Sequence, residues 1–379
     1  MLGFNNSLVT LLSQAYGAQK FKYLGDTVNR ARIFFGLCFI PIFIILYFTD
    51  SILLAIGQEE EVAHEAGKFV KISMLGFFFH LQYDIYRKFL NSIRKSKTYV
   101  WFPYVTFAFS AFLGWLLIAH LDLKTVGGAL IGLFNPMLNL SLCMLVVNYY
   151  KIGTSYLKWP DKESLKFWCE LFMMGLPTYL LQVFACISAE IVLLMTGYIS
   201  TSILVANTAL VNIYYMIGIL GLSLQVVASA LIGNKVGERD IEGTRNMIKA
   251  TTIVGGVLIL ISQIMFYLAS LSFTSQETKT IYPIISLTLA IYLLNQLLVT
   301  ILIGLGLQSK TVAANIMSYL LFGIPLSYYL TFHIKWIYYG PWIGLMLATL
   351  FNSCYFYRIL LKNDMRDLMF NSRKKYNNL

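Results

Sequence analysis

The chain has 379 residues, of which 58% are hydrophobic and only 12% are charged, and its formal net charge is +11. A soluble domain carries about twice that share of charged residues, so the composition indicates an integral membrane protein. It excludes a disordered chain, a collagen and a small disulfide scaffold.

Ten apolar stretches are each long enough to cross a bilayer as a helix, which takes roughly 20 residues. A shorter apolar segment at 1–17 precedes them. None of the stretches alternates with a period of two, the pattern of a transmembrane barrel. We predict spans at 31–55, 68–93, 99–120, 125–150, 170–198, 201–232, 250–273, 280–307, 311–333 and 337–361.

Positive charge alternates along this map of spans. Of the 29 Lys and Arg, 24 fall in every second connection or in the tail, and the remaining five fall in the connections between them. Basic residues stay on the cytoplasmic side, so we expect a cytoplasmic C-terminus. These Lys and Arg residues then set the orientation of the chain in the membrane and contact lipid headgroups. No nucleic-acid partner is expected, because such a surface needs clustered basic and aromatic residues on a soluble face.

The two halves of the chain resemble each other. Three pairs of short segments match in order, at offsets between 212 and 220 residues. They are 128–132 with 340–344, 96–98 with 309–311, and 14–17 with 234–237. Parallel repeats of six helices are a transporter architecture with a site between the halves. The pattern predicts an all-α polytopic membrane protein of two six-helix lobes in a pseudo-two-fold repeat.

The repeat also predicts that the first lobe lacks its first helix and about half of its second. Subtracting the offset of 220 from the spans 170–198 and 201–232 puts their counterparts before or across residue 1. A late start site, an incomplete gene model or a cloned fragment would each produce this. We predict an incomplete N-terminal lobe at 1–150, a cytoplasmic linker at 151–166, a C-terminal lobe at 167–362 and a cytoplasmic tail at 363–379. The chain is expected to be a monomer.

Several segments resemble the multidrug and toxic compound extrusion (MATE) family, and the resemblance runs along almost the whole chain. They are Leu12–Ala18 with Asn29–Ala31, Trp159-Pro160, Gly175–Pro177 with Ala189–Ile191, Gly233–Gly237, Gly304–Gln308 and Gly323–Leu326. The sequence of these segments is more similar to that of eukaryotic members of the family, whose transport is coupled to protons. The resemblance implies a secondary active transporter that exports organic cations or other amphipathic compounds in exchange for protons, by alternating access. It implies no cofactor, and a place in the plasma membrane or in a vacuolar or other internal membrane.

Glu190 is the leading candidate for proton or cation binding. It lies about twenty residues into the 170–198 span, between apolar runs. An ionisable group deep in a membrane is costly and is by default a functional hypothesis. Low dielectric disfavours the charged form of a carboxyl, which allows it to carry a proton. In eukaryotic relatives this position resembles an acid used in proton and cation handling. The alternative is a neutral Glu bonded to a neighbouring helix.

His80 and Asp84 form a second candidate, a possible proton relay. They are four residues apart, so they share one helix face, with His80 near mid-membrane. Histidine titrates near neutral pH and often serves in relays. The alternative is a structural polar pair, because Arg87 and Lys88 lie close to Asp84 in the sequence.

Four polar residues of the second lobe are predicted to line a substrate site: Asn207, Tyr214, Asn295 and Gln296. Amides can instead bond between helices in lipid, so packing is the alternative for each. The resemblance implies an acid where Ala185 stands and another in the tenth helix, where the matching region Leu293–Gln296 offers an amide instead. The usual pair of acids is therefore reduced to Glu190, which puts stoichiometric proton coupling in question.

Other function classes remain open. A lipid-linked saccharide flippase would need a cationic cavity, and the spans hold almost no internal Lys or Arg. A non-transporting receptor or an inactive incomplete member is compatible with the same spans. We predict no enzyme and no metal site, since no Walker motif, catalytic carboxylate pair or zinc-spaced His and Cys set is present. The expected partners are a small-molecule substrate, a proton and the lipid bilayer.

Overall fold

The computed structural model describes residues 2–153, 157, 168–273 and 275–363, and within these ranges the chain forms helices and turns without a strand. The helices are α1 Leu2–Gly17, α2 Phe21–Tyr47, α3 Thr49–Ala55, α4 Glu60–Ser92, α5 Phe102–Gly114, α6 Lys124–Tyr149, α7 Trp168–Gly197, α8 Thr201–Glu238, α9 Ile241–Ser270, α10 Gln276–Leu305, α11 Val312–Asn315, α12 Ile324–Tyr328 and α13 Gly340–Lys362. The predicted all-α polytopic class is confirmed. The predicted linker and tail lie almost wholly outside the described residues.

Nine helical segments in the described part of the chain are long and apolar enough to cross a membrane. Nine of the ten predicted spans coincide with them. The tenth, predicted at 68–93, is the helix α4, which is also long but is not one of the nine. Its C-terminal half carries Asp84, Arg87 and Lys88, which dilute its apolar character.

Polar caps fix where the long helices of the second half begin. The side chains of Ser200, Asp240 and Ser275 accept hydrogen bonds from the backbone amides three residues on, at the starts of α8, α9 and α10. Such caps satisfy donors that the first helical turn leaves unpaired. Left-handed residues end two of these helices, Arg239 (φ 62°) after α8 and Gly306 (φ 76°) after α10.

Several helices depart from regular α geometry. Pro41, Pro136, Pro177 and Pro283 lie inside α2, α6, α7 and α10, where each removes a backbone donor. π-helical turns continue α5 over Trp115–His120, and they flank α12 over Ile316–Gly323 and Tyr329–His333. In a membrane, neighbouring helices re-satisfy the backbone groups that such irregularities free.

The residues Lys20–Leu171 form one compact unit. Within it α4 packs along α6, with α2 and α3 against α4 and α5 against α6. Its buried side chains are both apolar, such as Phe35 and Phe89, and charged, such as Asp84 and Lys88.

The second compact unit consists of Leu2–Gln19 and the described residues from Phe172 onward. At its centre α8 packs along α10, and α9 and α13 complete the bundle. An apolar core that includes Leu210, Ile285, Leu289 and Trp342 fills the space between these helices. The pairing of α8 with α10 supplies two walls of a polar recess in this unit.

The first helix belongs to this second unit by its contacts. Residues of α1 pack against α8 and α10, and Thr10 Oγ1 donates to the Ile303 carbonyl at 2.8 Å. The lobe boundaries predicted from the sequence, with residues 1–150 in one lobe, stay a prediction. The structure adds that α1 is held by small residues of α8 rather than by the helices that come after it in sequence.

Candidate functional site

A polar recess opens inside the second unit. It is narrow, with a cavity volume of about 20 Å³, which is room for about one water molecule. Helices α7, α8 and α10, together with the π-helical turns after α11, supply most of its walls. The lining side chains are Asn6, Thr178, Leu181, Gln182, Ala185, Gln225, Tyr292, Asn295, Gln296, Val299, Ile303, Asn315 and Tyr319.

Two adjacent amides of α10 are oriented by protein partners. Asn295 Nδ2 donates to Ser353 Oγ of α13 at 3.1 Å. Gln296 Nε2 donates to the Tyr292 hydroxyl, one turn earlier on α10, at 2.8 Å. The side-chain oxygens of both amides have no protein partner among the described residues, and they line the recess. Fixed donors with open acceptors are what a binding site for a polar molecule requires.

Aromatic rings add apolar surface to the same recess. The Tyr292 ring lies 5.4 Å from that of Tyr214, and the Tyr319 hydroxyl lies 3.3 Å from Thr349 Oγ1. Asn315 also lines the recess, and its Oδ1 accepts from Asn352 Nδ2 at 2.8 Å. The recess therefore combines tyrosine rings with amide groups.

The described lining of the recess contains no group that is ionised at neutral pH. Its polar members are amides, tyrosine hydroxyls and a threonine. At Ala185 and Asn295 the wall holds a methyl group and an amide.

Glu190 lies outside the recess, on an exposed part of α7. Gln182, Cys186 and Glu190 follow at intervals of four residues, so they share one face of the helix. Gln182 Nε2 lies 3.5 Å from Cys186 Sγ, and Glu190 is near enough to Tyr215 to interact with it electrostatically. Eight residues of helix separate Gln182 from Glu190 by about 12 Å. Glu190 is thus connected to the recess by the shared helix face of Gln182, Cys186 and Glu190.

Of the four residues predicted to line a substrate site, the structure brings Asn295 and Gln296 together in the recess. Asn207 is 1% exposed, and both ends of its amide are used: Oδ1 accepts from Trp342 Nε1 at 2.6 Å, and Nδ2 donates to the Ile203 carbonyl at 2.9 Å. Tyr214 lies in the apolar core behind Tyr292. In this structure neither Asn207 nor Tyr214 lines the recess, and only Tyr214 contacts a lining residue, Tyr292.

His80 and Asp84 both lie in the first unit. His80 is on an exposed part of α4, whereas Asp84 is buried. The Asp84 carboxylate accepts from Arg87 Nη2 at 2.5 Å and from Lys88 Nζ at 3.1 Å. Two cations of its own helix therefore hold Asp84, and the relay through His80 stays a prediction.

Sequence reasoning did not single out Tyr292, Tyr319 or Asn315 as lining residues. One local signal was available for Tyr292, which precedes the predicted Gln296 by four residues on α10 and so shares its face. No comparable signal marks Tyr319 and Asn315, because neither lies next to a residue that the sequence had singled out. Among the described residues no group of three or more His, Cys, Asp or Glu side chains could hold a metal ion.

The long apolar helices define a multi-pass membrane protein with a polar recess in its second unit. Comparison with known proteins gives the family. The family model MatE matches residues 1–118. The chain is 26% identical to Protein DETOXIFICATION 16 of Arabidopsis thaliana over 363 residues, covering 92% of this chain and 74% of that protein. It is 25% identical to Protein DETOXIFICATION 12 of the same organism over 371 residues, covering 93% and 76%.

Solved structures share the fold. The eukaryotic MATE transporter AtDTX14 superposes with a TM-score of 0.89 at 22% identity, covering 98% of this chain and 86% of that one. The Vibrio cholerae MATE transporter VcmN in its bent form gives a TM-score of 0.79 at 17% identity, covering 98% and 85%. Residues 1–118 match the family model and almost the whole chain resembles MATE proteins in sequence and fold, which confirms the resemblance that its sequence predicted. Members of this family are transporters rather than enzymes.

Proposed function

We propose that the protein exports organic cations or other amphipathic compounds in exchange for protons, by alternating access. The observation that carries the proposal is the placement of Glu190. Its carboxyl lies within a membrane-spanning helix, on the helix face that leads to the polar recess through Cys186 and Gln182. A carboxyl at that depth is costly unless it serves a transport cycle.

Proton exchange is consistent with the chemistry of this carboxyl. When Glu190 is neutral it tolerates an apolar surrounding, and when it is ionised it requires water or a cation. A conformational change that moves it between these environments would release a proton on one side and take one up on the other. His80 could add a second titrating group in the first unit, so we propose it as a secondary participant.

The distribution of Lys and Arg supports a cytoplasmic C-terminus. Export from the cytoplasm then carries substrate toward the side with few basic residues. We propose the plasma membrane or a vacuolar or other internal membrane as the location, and a monomer as the transporting species.

Proton-driven flux in proteoliposomes tests the proposal. The full chain is reconstituted with an imposed pH gradient, and accumulation of two fluorescent probes is followed: the cation rhodamine 6G and the uncharged 4-methylumbelliferyl glucoside. At least one should accumulate only when the gradient is present. Glu190→Gln should abolish gradient-driven accumulation. The matched control is Glu242→Gln, which neutralises an exposed acid in the first turn of α9.

Two results would reject the proposal. Flux of neither probe under the gradient would reject a proton-driven exporter. Unchanged gradient-driven flux in Glu190→Gln would reject the role of Glu190. For His80, the variant His80→Gln should shift the pH dependence of flux, and an unshifted profile would reject its participation.

A further inference from the structure

We infer that the turn between α4 and α5 binds the headgroup of an anionic phospholipid, whose acyl chains then lie along α5. The turn comprises residues 93–101 and is called the basic turn below. Between Ile85 and Leu121 the chain carries five Lys and Arg residues and no Asp or Glu. The inference concerns the first unit alone and does not depend on the proposed transport activity.

Three of these cations stand in the basic turn itself, at Arg94, Lys95 and Lys97, and all three are exposed. Neither Lys95 nor Lys97 forms an ion pair or a side-chain hydrogen bond with a described residue. The nearest acid along the chain, Asp84, is buried and already holds two cations of α4. The ammonium groups of the turn are therefore available to an anion from outside the protein.

The basic turn does not need this charge in order to fold. Its counterpart in the internal repeat is the turn after α10, at an offset of 213 residues. There Leu307 and Gln308 take the places of Arg94 and Lys95, and they are only 4% and 2% exposed. The matching cation Lys310 is retained, and an asparagine oxygen accepts from its Nζ at 2.6 Å. The excess of exposed charge is thus particular to the first unit, which favours a binding role.

The helix that follows the basic turn is suited to contact with lipid. In the span Ser96–His120 only 11% of the most apolar stretch is buried, the lowest share among the nine spans of the described chain. Trp101 and Tyr104 stand at its start, 70% and 67% exposed, with ring centroids 6.1 Å apart. Such rings are enriched where headgroups meet acyl chains. Phe107 and Phe112, also exposed, continue this surface toward the middle of the span.

The order of groups along this surface matches that of a phospholipid. Cations come first, then interfacial rings, then apolar side chains, as headgroup, interface and acyl chain do in the lipid. Ammonium and guanidinium groups donate hydrogen bonds, which phosphate oxygens accept. A choline headgroup brings a cation of its own, so an anionic headgroup should be preferred. The proposed orientation puts the basic turn at the cytoplasmic leaflet, where anionic lipids are found.

Titration of a fluorescent phosphatidic acid into the full chain in dodecyl maltoside tests the inference, with fluorescence anisotropy as the measure of binding. We expect saturable binding that unlabelled phosphatidic acid displaces and phosphatidylcholine does not. Inorganic phosphate should displace the lipid less effectively than unlabelled phosphatidic acid by about a hundredfold or more, because it lacks the acyl chains that contact α5.

Removing the two lysines should weaken the site without disturbing the fold, because both are exposed. Lys95→Gln with Lys97→Gln should reduce the affinity for phosphatidic acid by about 20-fold, since each basic residue at a membrane surface contributes roughly fivefold. The conservative pair Lys95→Arg with Lys97→Arg should retain it.

The matched control is Arg245→Gln with Lys249→Gln, which removes the same charge from exposed positions of α9 in the second unit. It should leave the affinity for phosphatidic acid within about twofold of the wild type. Melting temperatures of both double variants verify that they fold.

Three results would overturn the inference. Phosphatidylcholine that displaces the probe as well as phosphatidic acid does would remove the preference for an anionic headgroup. An equal loss of affinity in the α9 control would show attraction to the net charge of the chain rather than to the basic turn. Inorganic phosphate that competes as well as the unlabelled lipid would make the ligand a soluble anion. No proton gradient enters this assay, so absence of flux in proteoliposomes would leave its outcome unchanged.

Discussion

Gly17 of α1 and Gly237 of α8 make reciprocal contacts at one helix crossing. A Cβ on Gly17 would lie 2.1 Å from the Asn234 carbonyl oxygen, and a Cβ on Gly237 would lie 2.2 Å from the Gln14 carbonyl oxygen. Gln14 and Gly17 are the residues that the internal repeat pairs with Asn234 and Gly237. Reciprocal contacts of this kind are what a two-fold relation between two segments produces.

Gly17→Ala should force α1 away from α8, because no side chain fits between Gly17 and the Asn234 carbonyl. Overpacking of this kind costs about 1–3 kcal/mol, so the melting temperature of the purified protein should fall. Gly256→Ala on α9 is the control, since a Cβ there meets nothing within 4 Å. Equal melting temperatures for the Gly17 variant and the wild type would contradict the close approach.

Asp84→Asn should destabilise the first unit strongly, because Lys88 would be left as a buried cation whose Nζ loses a carboxylate at 3.1 Å. Both side chains of this pair are 2% exposed. Removing one partner of a buried ion pair costs about 3–5 kcal/mol. A thermal melt of the full chain measures the effect.

The exposed ion pair of Lys68 and Glu65 is the control for the buried ion pair of Asp84 and Lys88. Their side chains are 45% and 43% exposed, so Glu65→Gln should change the melting temperature little. The double variant Asp84→Leu with Lys88→Met should recover much of the stability lost in Asp84→Asn. A melt in which Asp84→Asn behaves like Glu65→Gln would show that the buried pair does not stabilise the unit.

Trp342→Phe should leave the buried Asn207 oxygen without its donor. An orphaned buried polar atom costs about 1–3 kcal/mol. Asn207→Leu and the double variant complete a thermodynamic cycle, in which the two losses should not add, because both remove the same bond. The control Trp101→Phe changes a tryptophan that is 70% exposed. Additive losses in the cycle would show that the two side chains act independently.

Asp240 should make stability depend on pH at the start of α9. The Gly243 amide at 2.7 Å and Lys235 Nζ at 2.9 Å hold the pKa of its carboxyl below the ordinary value. A carboxyl with a lowered pKa stabilises the fold above its unfolded pKa, about 3.9, and loses this contribution as pH falls through the folded pKa. The melting temperatures of wild type and Asp240→Asn should therefore differ near neutrality and converge in acid. A difference that persists in acid would contradict a charge effect.

Much of the helical map could be predicted because apolar length alone specifies a span. The boundaries were less predictable. The sequence ends a span at 232, yet α8 continues to Glu238, where the left-handed Arg239 stops it. It begins the first full span at 31, yet α2 begins at Phe21, because polar residues continue a helix beyond the bilayer. Polarity marks the edge of the membrane and not the end of the helix.

The candidate site was only partly predictable for a related reason. A polar residue within a span is visible in the sequence, but its partner is not. Asn207 and Asn295 look alike in sequence, yet Asn207 is satisfied by Trp342, 135 residues away, while Asn295 keeps an open oxygen. Tyr292 and Tyr319 were missed because 25 tyrosines are spread through the chain, so that residue type alone marks no site.

The π-helical turns after α11 make one wall of the recess depend on helix register. Tyr319 lies inside the stretch Ile316–Gly323 and also lines the recess. Each extra residue that a π turn accommodates rotates the later part of the helix by about 100°, the rotation of one residue in a regular helix. If the stretch tightened to α geometry, the Tyr319 ring would rotate away from the amides of α10. The shape of the recess thus depends on the winding of this helix, through the side chain of Tyr319.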